Sequence, residues 1–582
     1  MKTKCWIVFS IAFIFHGTHF SQSYSKIDTI KYGSFHRYEN NTLSTVSFGG
    51  AGSISRTLLY NKSLNFLGQS IFFNEEIEDL PTFDVKTPIV DAKYITGSAN
   101  EQLFSIFHTQ NINPLMNYAI FYTKQSYDGY YLNQGTNHNF FQSNFSFSSK
   151  NQSYTAKLLF KHQRFYHFQN GGISNDSSFT NDQFSSRNRL LLDVNLENAY
   201  SRDALNKLSF SQKFNLKSKI DSLKKQFNSS IGLNLDISSK IRTYFDTLND
   251  GFYLFNIIDS LSTRDSITRK TLTSKIYHQF TKQIDSLKSI AFNSGIDFDV
   301  YSQDNLSIDT NLYNTSGFFD LNLINNNSKF DFKSIYFFSG FRTGDFSIST
   351  DFRQNFRHLS MQFYMNYSSI TPAFELNNYI GNHGYWNNDF SNQKILNSKA
   401  VFKYKGWKFI SQYSDIKDPI YFDYFGVPIQ ENGISQVIQT SISKEFELKS
   451  FQLNTSCFYQ YQGGYVIYQL PNWVGVFDLS YSLDAFKSAL QLNVGIQGKL
   501  FSEYYLMNYR PDFGVFYVSN EQKQANYLFA DFYLNAKIKT VNFFFLISHF
   551  NAGLMGYNYF SALHYPAADR YFKLGLRWMF LN

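Results

Sequence analysis

Alternation at the carboxyl end constrains this chain more than any other feature. Phe572, Leu574, Leu576, Trp578 and Phe580 fall on one side, with Lys573, Gly575, Arg577 and Met579 between them. Successive side chains of a strand point to opposite faces, so the segment has one aromatic-aliphatic face and one mostly polar face. The sequence ends two residues later. A chain closing on such a strand, behind an export signal and without a transmembrane helix, is expected to be an outer-membrane β-barrel.

The amino end supplies the signal. Lys2 and Lys4 form a short basic region, Cys5 to Phe15 is a nearly unbroken apolar core, and Ser21-Gln22-Ser23 offers small residues near a cut. The mature chain is expected to begin around Tyr24, leaving residues 1–23 as a cleaved signal peptide. An uncleaved buried helix is the competing reading, and the basic flank argues against it. Cys457 is then the only cysteine, which excludes an internal disulfide and disfavours a thiol-metal site. No later stretch approaches 18 consecutive apolar residues, so a helical membrane protein is excluded on length. Yet there are 65 Phe and 42 Tyr among 582 residues, only 17% of which are charged. A soluble protein would have to hide those rings in a core, whereas a barrel turns many toward lipid and the interfacial girdles. The formal charge of +8, or +6 without Lys2 and Lys4, is too mild to imply a nucleic-acid partner.

The period of two recurs along the chain. Ile231, Leu233, Leu235 and Ile237 enclose Gly232, Asn234 and Asp236; Leu490, Leu492, Val494 and Ile496 oppose Gln491, Asn493, Gly495 and Gln497. Leu359, Met361, Phe363, Met365 and Tyr367 oppose Gln362 and Asn366, and Leu528 to Ile538 oppose Asp531, Tyr533, Asn535 and Lys537. Leu190, Leu192, Val194 and Leu196 read as another such strand, against Arg189 and Asp193. A large soluble antiparallel protein with one buried face would alternate in the same way. These segments, however, run about nine to twelve residues, the length a tilted spanning strand needs. The expected fold is all-β, a transmembrane antiparallel β-barrel of about 18–24 strands, an even number being usual for a single bacterial chain.

Asn326-Asn327-Ser328 and Leu448-Lys449-Ser450 read as short periplasmic turns. Longer stretches, Phe168 to Arg187, Thr371 to Asn388, Asp418 to Gly433, Tyr504 to Gln524 and Gly553 to Asp569, read as outer loops. Residues 217–305 look least regular. Residues 24–88, with Gly49-Gly50-Ala51-Gly52, Pro81 and Pro88, read as an amino-terminal segment leading into a barrel over 89–582, with room for a first strand or two. An Asp-Ser/Thr-aliphatic triplet recurs at Asp28, Asp221, Asp246, Asp259, Asp265 and Asp285. It suits turn chemistry, and it also resembles the O-glycosylation acceptor of the Bacteroidota.

A run of ordered landmarks resembles the putative porin family of Bacteroidota outer membranes. After Gly49-Gly50-Ala51-Gly52 come Thr87-Pro88-Ile89-Val90-Asp91-Ala92-Lys93-Tyr94, Gly97, Glu101-Gln102 and Thr109-Gln110-Asn111. Ser126-Tyr127-Asp128-Gly129-Tyr130-Tyr131, Asn133-Gln134 and Gly171-Gly172-Ile173 follow; Tyr565-Pro566 and Arg570 precede the terminal strand. The resemblance covers both ends of the mature chain. It implies a large barrel inserted by the barrel-assembly machinery into outer-membrane lipid, and no catalytic residues. The end departs from the common barrel pattern, because Leu581 and Asn582 follow the last aromatic.

No H-E-x-x-H spacing, phosphate-binding loop or G-x-S-x-G elbow is present, so no catalytic, cofactor-binding or metal residue is assigned, and no enzyme activity or cofactor is expected. His162 and His167, near Arg164, are expected to line a pore mouth. The expected function is a porin allowing passive diffusion of small polar solutes, with Arg189, Asp193, Gln362, Asn366, Asn493, Lys537, Lys573 and Arg577 as inward positions. A substrate-specific transporter and a structural or adhesive barrel are the alternatives. A TonB-linked transporter would carry a plug of well over about a hundred residues, against the 65 between Tyr24 and Ile89. A constriction from Thr371 to Asn388 is compatible with the sequence, as is a homo-oligomer.

Overall fold

A computed structural model describes residues 45–50, 52–61, 77–181, 188–220, 226–247, 251–285, 287–306 and 308–581. The export signal, the triplets at Asp28 and Asp221, Leu248 of the triplet at Asp246 and Ser286 of the triplet at Asp285 lie outside these residues. Twenty-two antiparallel strands close into one barrel. The first, Ile89–Gly97, pairs with the second, Glu101–Asn113, and with the last, Tyr571–Leu581, in a register running from Ile89 opposite Leu581 to Gly97 opposite Lys573. That pairing removes every free edge, the condition for a sheet to sit in lipid.

The alternation seen in the sequence is the alternation of the wall. Phe572, Leu574 and Trp578 are exposed on the outer surface, while Lys573 and Arg577 are buried on the inner one. The outward rings cluster at two levels. Toward the long-loop rim, Tyr166 stacks on Tyr200 at 4.8 Å and Tyr459 meets Trp473 at 4.7 Å. Toward the short-turn rim, Phe451 meets Tyr481 at 4.8 Å and Trp578 stacks on Phe580 at 4.2 Å. Trp473 and Tyr481 lie on one strand, Trp473–Ala485. Their separation is about 26 Å along the strand and roughly 20 Å along the barrel axis at the usual tilt, close to the apolar band of such barrels.

Connections alternate in length. The turns at Asn326-Asn327 and Lys449-Ser450 lie on one rim, with both ends of the barrel, and the long connections lie on the other. Two readings of the sequence need correction. Arg189 to Leu196 is no strand: Arg189–Leu191 is a short 3-10 turn within the loop between the strands Tyr154–Gln169 and Ala199–Ile220. Its alternation reflects loop-on-loop packing, with Leu192, Val194 and Leu196 buried and Leu190 and Leu191 exposed. The longest strands run through and on either side of the region read as least regular: Ala199–Ile220, Gln226–Asp246, Thr263–Asp285, Lys288–Asn305 and Ile308–Asn325, of 18 to 23 residues. They outrun the nine to eleven residues, roughly, that a bilayer requires, and their polar ends blur the apolar pattern. Two triplets do make turns: Asp259 and Asp285 each accept the backbone N–H two residues on, from Leu261 and Leu287, at 2.8 Å.

Candidate functional site

The inner wall is polar, and two structures fill the lumen. The first is a hairpin of Thr45–Ser47 paired with Ser55–Thr57, which forms its own two-stranded sheet and adds no strand to the barrel. Wall residues from around the ring hold its backbone. Gln134 Nε2 donates to the Phe48 carbonyl at 2.6 Å, His138 Nε2 lies 2.9 Å from that of Gly52, and Gln460 Nε2 donates to that of Leu58 at 2.9 Å. Lys499 donates to the Thr45 carbonyl. Arg56 is buried and reaches outward to the carbonyls of Tyr468 and, at 2.7 Å, Gln469. The glycines of the hairpin turn work by close approach: a Cβ on Gly50 would lie 2.8 Å from the Tyr127 ring. Residues 77–85 then descend along the wall, where Asp79 bridges Lys161 at 2.5 Å and Lys207 at 3.0 Å and Asn144 donates to the Pro81 carbonyl at 2.6 Å. A cavity of about 370 Å³ lies beside them, bordered by Asp84, Lys157, Lys213 and Tyr277.

The second is the loop of residues 502–526, between the nineteenth and twentieth strands. Its tip reaches Arg242 on the seventh strand, ten to twelve strands away round the ring and so nearly opposite. Arg242 donates to the Pro511 carbonyl at 3.3 Å and pairs with Asp203 on the sixth strand at 2.8 Å. A Cβ on Gly514 would lie 2.4 Å from the same guanidinium. The loop is therefore a beam across the outer mouth. Other loops pack on it: Phe513 and Val515 join Tyr379, Trp386 and Phe422 in one apolar cluster, and Tyr504 and Leu506 join Phe179, Tyr559 and Phe560 in another. Residues 371–388, read from the sequence as a candidate constriction, pack on the beam and on the loop of residues 418–433.

Below the beam the wall from the eighth to the fifteenth strand is less covered and carries mixed charge in pairs: Lys275 with Asp297 at 3.2 Å, Lys329 with Asp331 at 2.9 Å, Arg353 with Asp351 at 2.7 Å. Of the inward positions named from sequence, Gln362 donates to Asp351, Asn366 to Ser347 and Asn493 to Ser482. Lys537 shares their face, Lys573 pairs with Glu101 at 2.7 Å, and Arg577 holds Asp91. Arg189 and Asp193 do not line the wall; Arg189 lies in the outer loops, paired with Asp569 at 2.7 Å. The two histidines part company. His167 faces inward beside His138, and His162 faces outward and bonds Asn206 at 2.8 Å. Arg242 and Arg56 carried no signal in the sequence.

The comparisons agree on the architecture. The siderophore receptor PirA from Acinetobacter baumannii superposes with a TM-score of 0.60 at 9% identity, over 86% of this chain and 81% of that one. The FrpB iron transporter from Neisseria meningitidis (F3-3 variant) gives 0.58 at 11%, over 85% and 82%, and a mutant ferric enterobactin receptor PfeA from Pseudomonas aeruginosa gives 0.60 at 11%, over 85% and 80%. At such identities the likeness is one of fold. No curated sequence matches. The family described as "Putative porin" matches residues 16–582. The chain is a multi-pass β-barrel of the outer membrane and belongs to that porin family.

Proposed function

We propose that the protein moves small polar solutes across the outer membrane through this lumen, and that the beam and the hairpin are closures to be released. The observation that carries the reading is the mixed-charge wall, with its opposite-sign pairs, beneath a beam held by noncovalent contacts at Arg242 and to the neighbouring loops. A wall that carries such pairs offers water and polar solutes partners without trapping them, because the counter-charge within each pair is already in place. Passive diffusion is the mode expected once the closure is open, and no enzymatic step is assigned. A substrate-specific transporter is the second reading, favoured by the buried core that the outer loops share. Residues 1–23 are assigned as the cleaved signal, 24–88 as the amino-terminal segment leading into the barrel and 89–582 as the barrel, with insertion by the barrel-assembly machinery.

The test is swelling of proteoliposomes in small sugars. Wild-type protein is compared with a variant in which residues 508–517 are replaced by a short Gly-Ser link. Heat-dependent gel mobility confirms that each is a closed barrel. The shortened variant is expected to swell at least tenfold faster than wild type. Equal fast rates would make the barrel a standing pore, and a folded variant that stays impermeable would end the transport reading.

A further inference from the structure

The outer face of the loops carries an apolar surface within an acidic rim. Residues 251–262 make one platform. Tyr253 stacks on His383 at 3.6 Å, and the Asn382 side chain accepts the backbone N–H groups of Ile258 and Asp259, each at 2.9 Å. Arg510, from the beam, donates to the carbonyls of His383 and, at 2.9 Å, Gly426. One guanidinium thus ties three loops into a single surface. With their backbones so fixed, these loops still hold large side chains in solvent: Leu254, Phe255 and Leu261 are 81%, 68% and 78% exposed, and Tyr385, Tyr424 and Phe425 are 61%, 58% and 76% exposed. At roughly 200 Å² for a side chain of this size, the six expose on the order of 800 Å². That sum is comparable with what one partner buries in a standard protein interface, ~800 Å².

Charge narrows the occupant. Residues 247–262, 371–392 and 418–433 contain no Lys or Arg, although the whole chain has a formal charge of +8. Asp259 and Asp389 are exposed in these loops, and Asp423 and Glu431 are half-buried there. Anionic lipid headgroups would be repelled there. Residues 252–253 turn inward over the lumen, since the Tyr253 hydroxyl meets that of the inward-facing Tyr244 at 2.9 Å, so the platform caps the mouth and does not flank the bilayer. Two copies in one membrane have parallel axes, so the surface above one mouth does not meet the same surface of a neighbour.

We propose that this surface docks a protein outside the cell that has an apolar centre and a basic rim. The test is photo-crosslinking in intact cells, with a benzophenone amino acid replacing Phe255 or Phe425, and replacing Leu554 in the loop of residues 549–570 as a control. The expected result is one protein adduct shared by positions 255 and 425, absent at 554, and identified by mass spectrometry as a basic protein. Its yield should fall at least fivefold in the Leu254→Ser/Leu261→Ser background and at least threefold between 50 and 300 mM salt. All variants are checked for barrel mobility on gels. Adducts only to lipid, only to a second copy of the chain, or to nothing would overturn the proposal, as would a protein adduct indifferent to both serines and salt.

Discussion

Gly575 has no room for a side chain. It lies opposite Phe544 on the neighbouring strand, and a Cβ would fall 1.8 Å from that ring. Gly495 stands in the same relation to Tyr533 and Gly232 to Tyr277, so an aromatic covers the bare backbone of its cross-strand partner three times on the inner wall. Gly575→Ala should therefore lower stability by about 1–3 kcal/mol through overpacking. The midpoint of the heat-dependent mobility shift in detergent reads this, and Gly575→Ala/Phe544→Leu should recover part of the loss. A second residue-scale prediction concerns His564, whose Nδ1 lies 3.1 Å from Asp176 and joins two outer loops. The bond to Asp176 raises the histidine above its ordinary 6.5, against the opposing effect of burial. A base whose folded value is raised contributes fully below pH 6.5, and its contribution is lost as pH climbs through the raised value. Limited proteolysis of these loops should accordingly be slower at pH 6 than at pH 8.5, and Asp176→Asn should erase the difference.

At the scale of elements, the luminal hairpin is the part most open to test. Arg56 is a buried cation whose Nη2 donates to two carbonyls of residues 465–472, and it anchors a sheet of only two strands. Such a hairpin is marginal alone and depends on its neighbours. Losing charged hydrogen bonds of this kind costs about 1.5–3 kcal/mol each. Arg56→Ala should leave the barrel closed as a sheet while loosening the hairpin, seen as faster hydrogen exchange at residues 45–60 and unchanged exchange in the strands. The strands themselves were legible because two solvents impose their pattern: lipid selects Leu490, Leu492 and Val494, and the lumen selects Gln491 and Asn493. The same period misled at Leu190 to Leu196, where one loop face meets other loops and the opposite face meets water. For the hairpin, the sequence allowed a strand or two in residues 24–88 but not their place inside the lumen. Its glycines matter because of Tyr127 and His138, and its arginine because of residues more than 400 positions away. Arg242 looks like any inward polar residue until the loop bearing Pro511, 269 positions later, is seen to reach it.

For the whole molecule, the distribution of luminal charge sets what an opened barrel would select. The inner wall carries several opposite-sign pairs: Lys275 with Asp297, Lys329 with Asp331, Arg353 with Asp351, Lys573 with Glu101, Arg577 with Asp91. A pair presents a dipole to a passing ion, and its field decays faster than that of a lone charge. At physiological salt the screening length is about 8 Å, so an ion in mid-lumen meets little net potential. Weak selectivity follows. The beam-shortened variant in a planar bilayer under a tenfold KCl gradient should reverse within about 15 mV of zero, whereas ideal selectivity for either ion would give nearly 60 mV. Converting Lys275, Lys329 and Arg353 to glutamine leaves three carboxylates without counter-charges on one wall. The reversal potential should then move toward the cation limit by at least 15 mV. A shift in that triple variant with none in Lys573→Gln, whose side chain is buried against Glu101, would locate the ion path along the eighth to twelfth strands and away from the seam where the barrel closes.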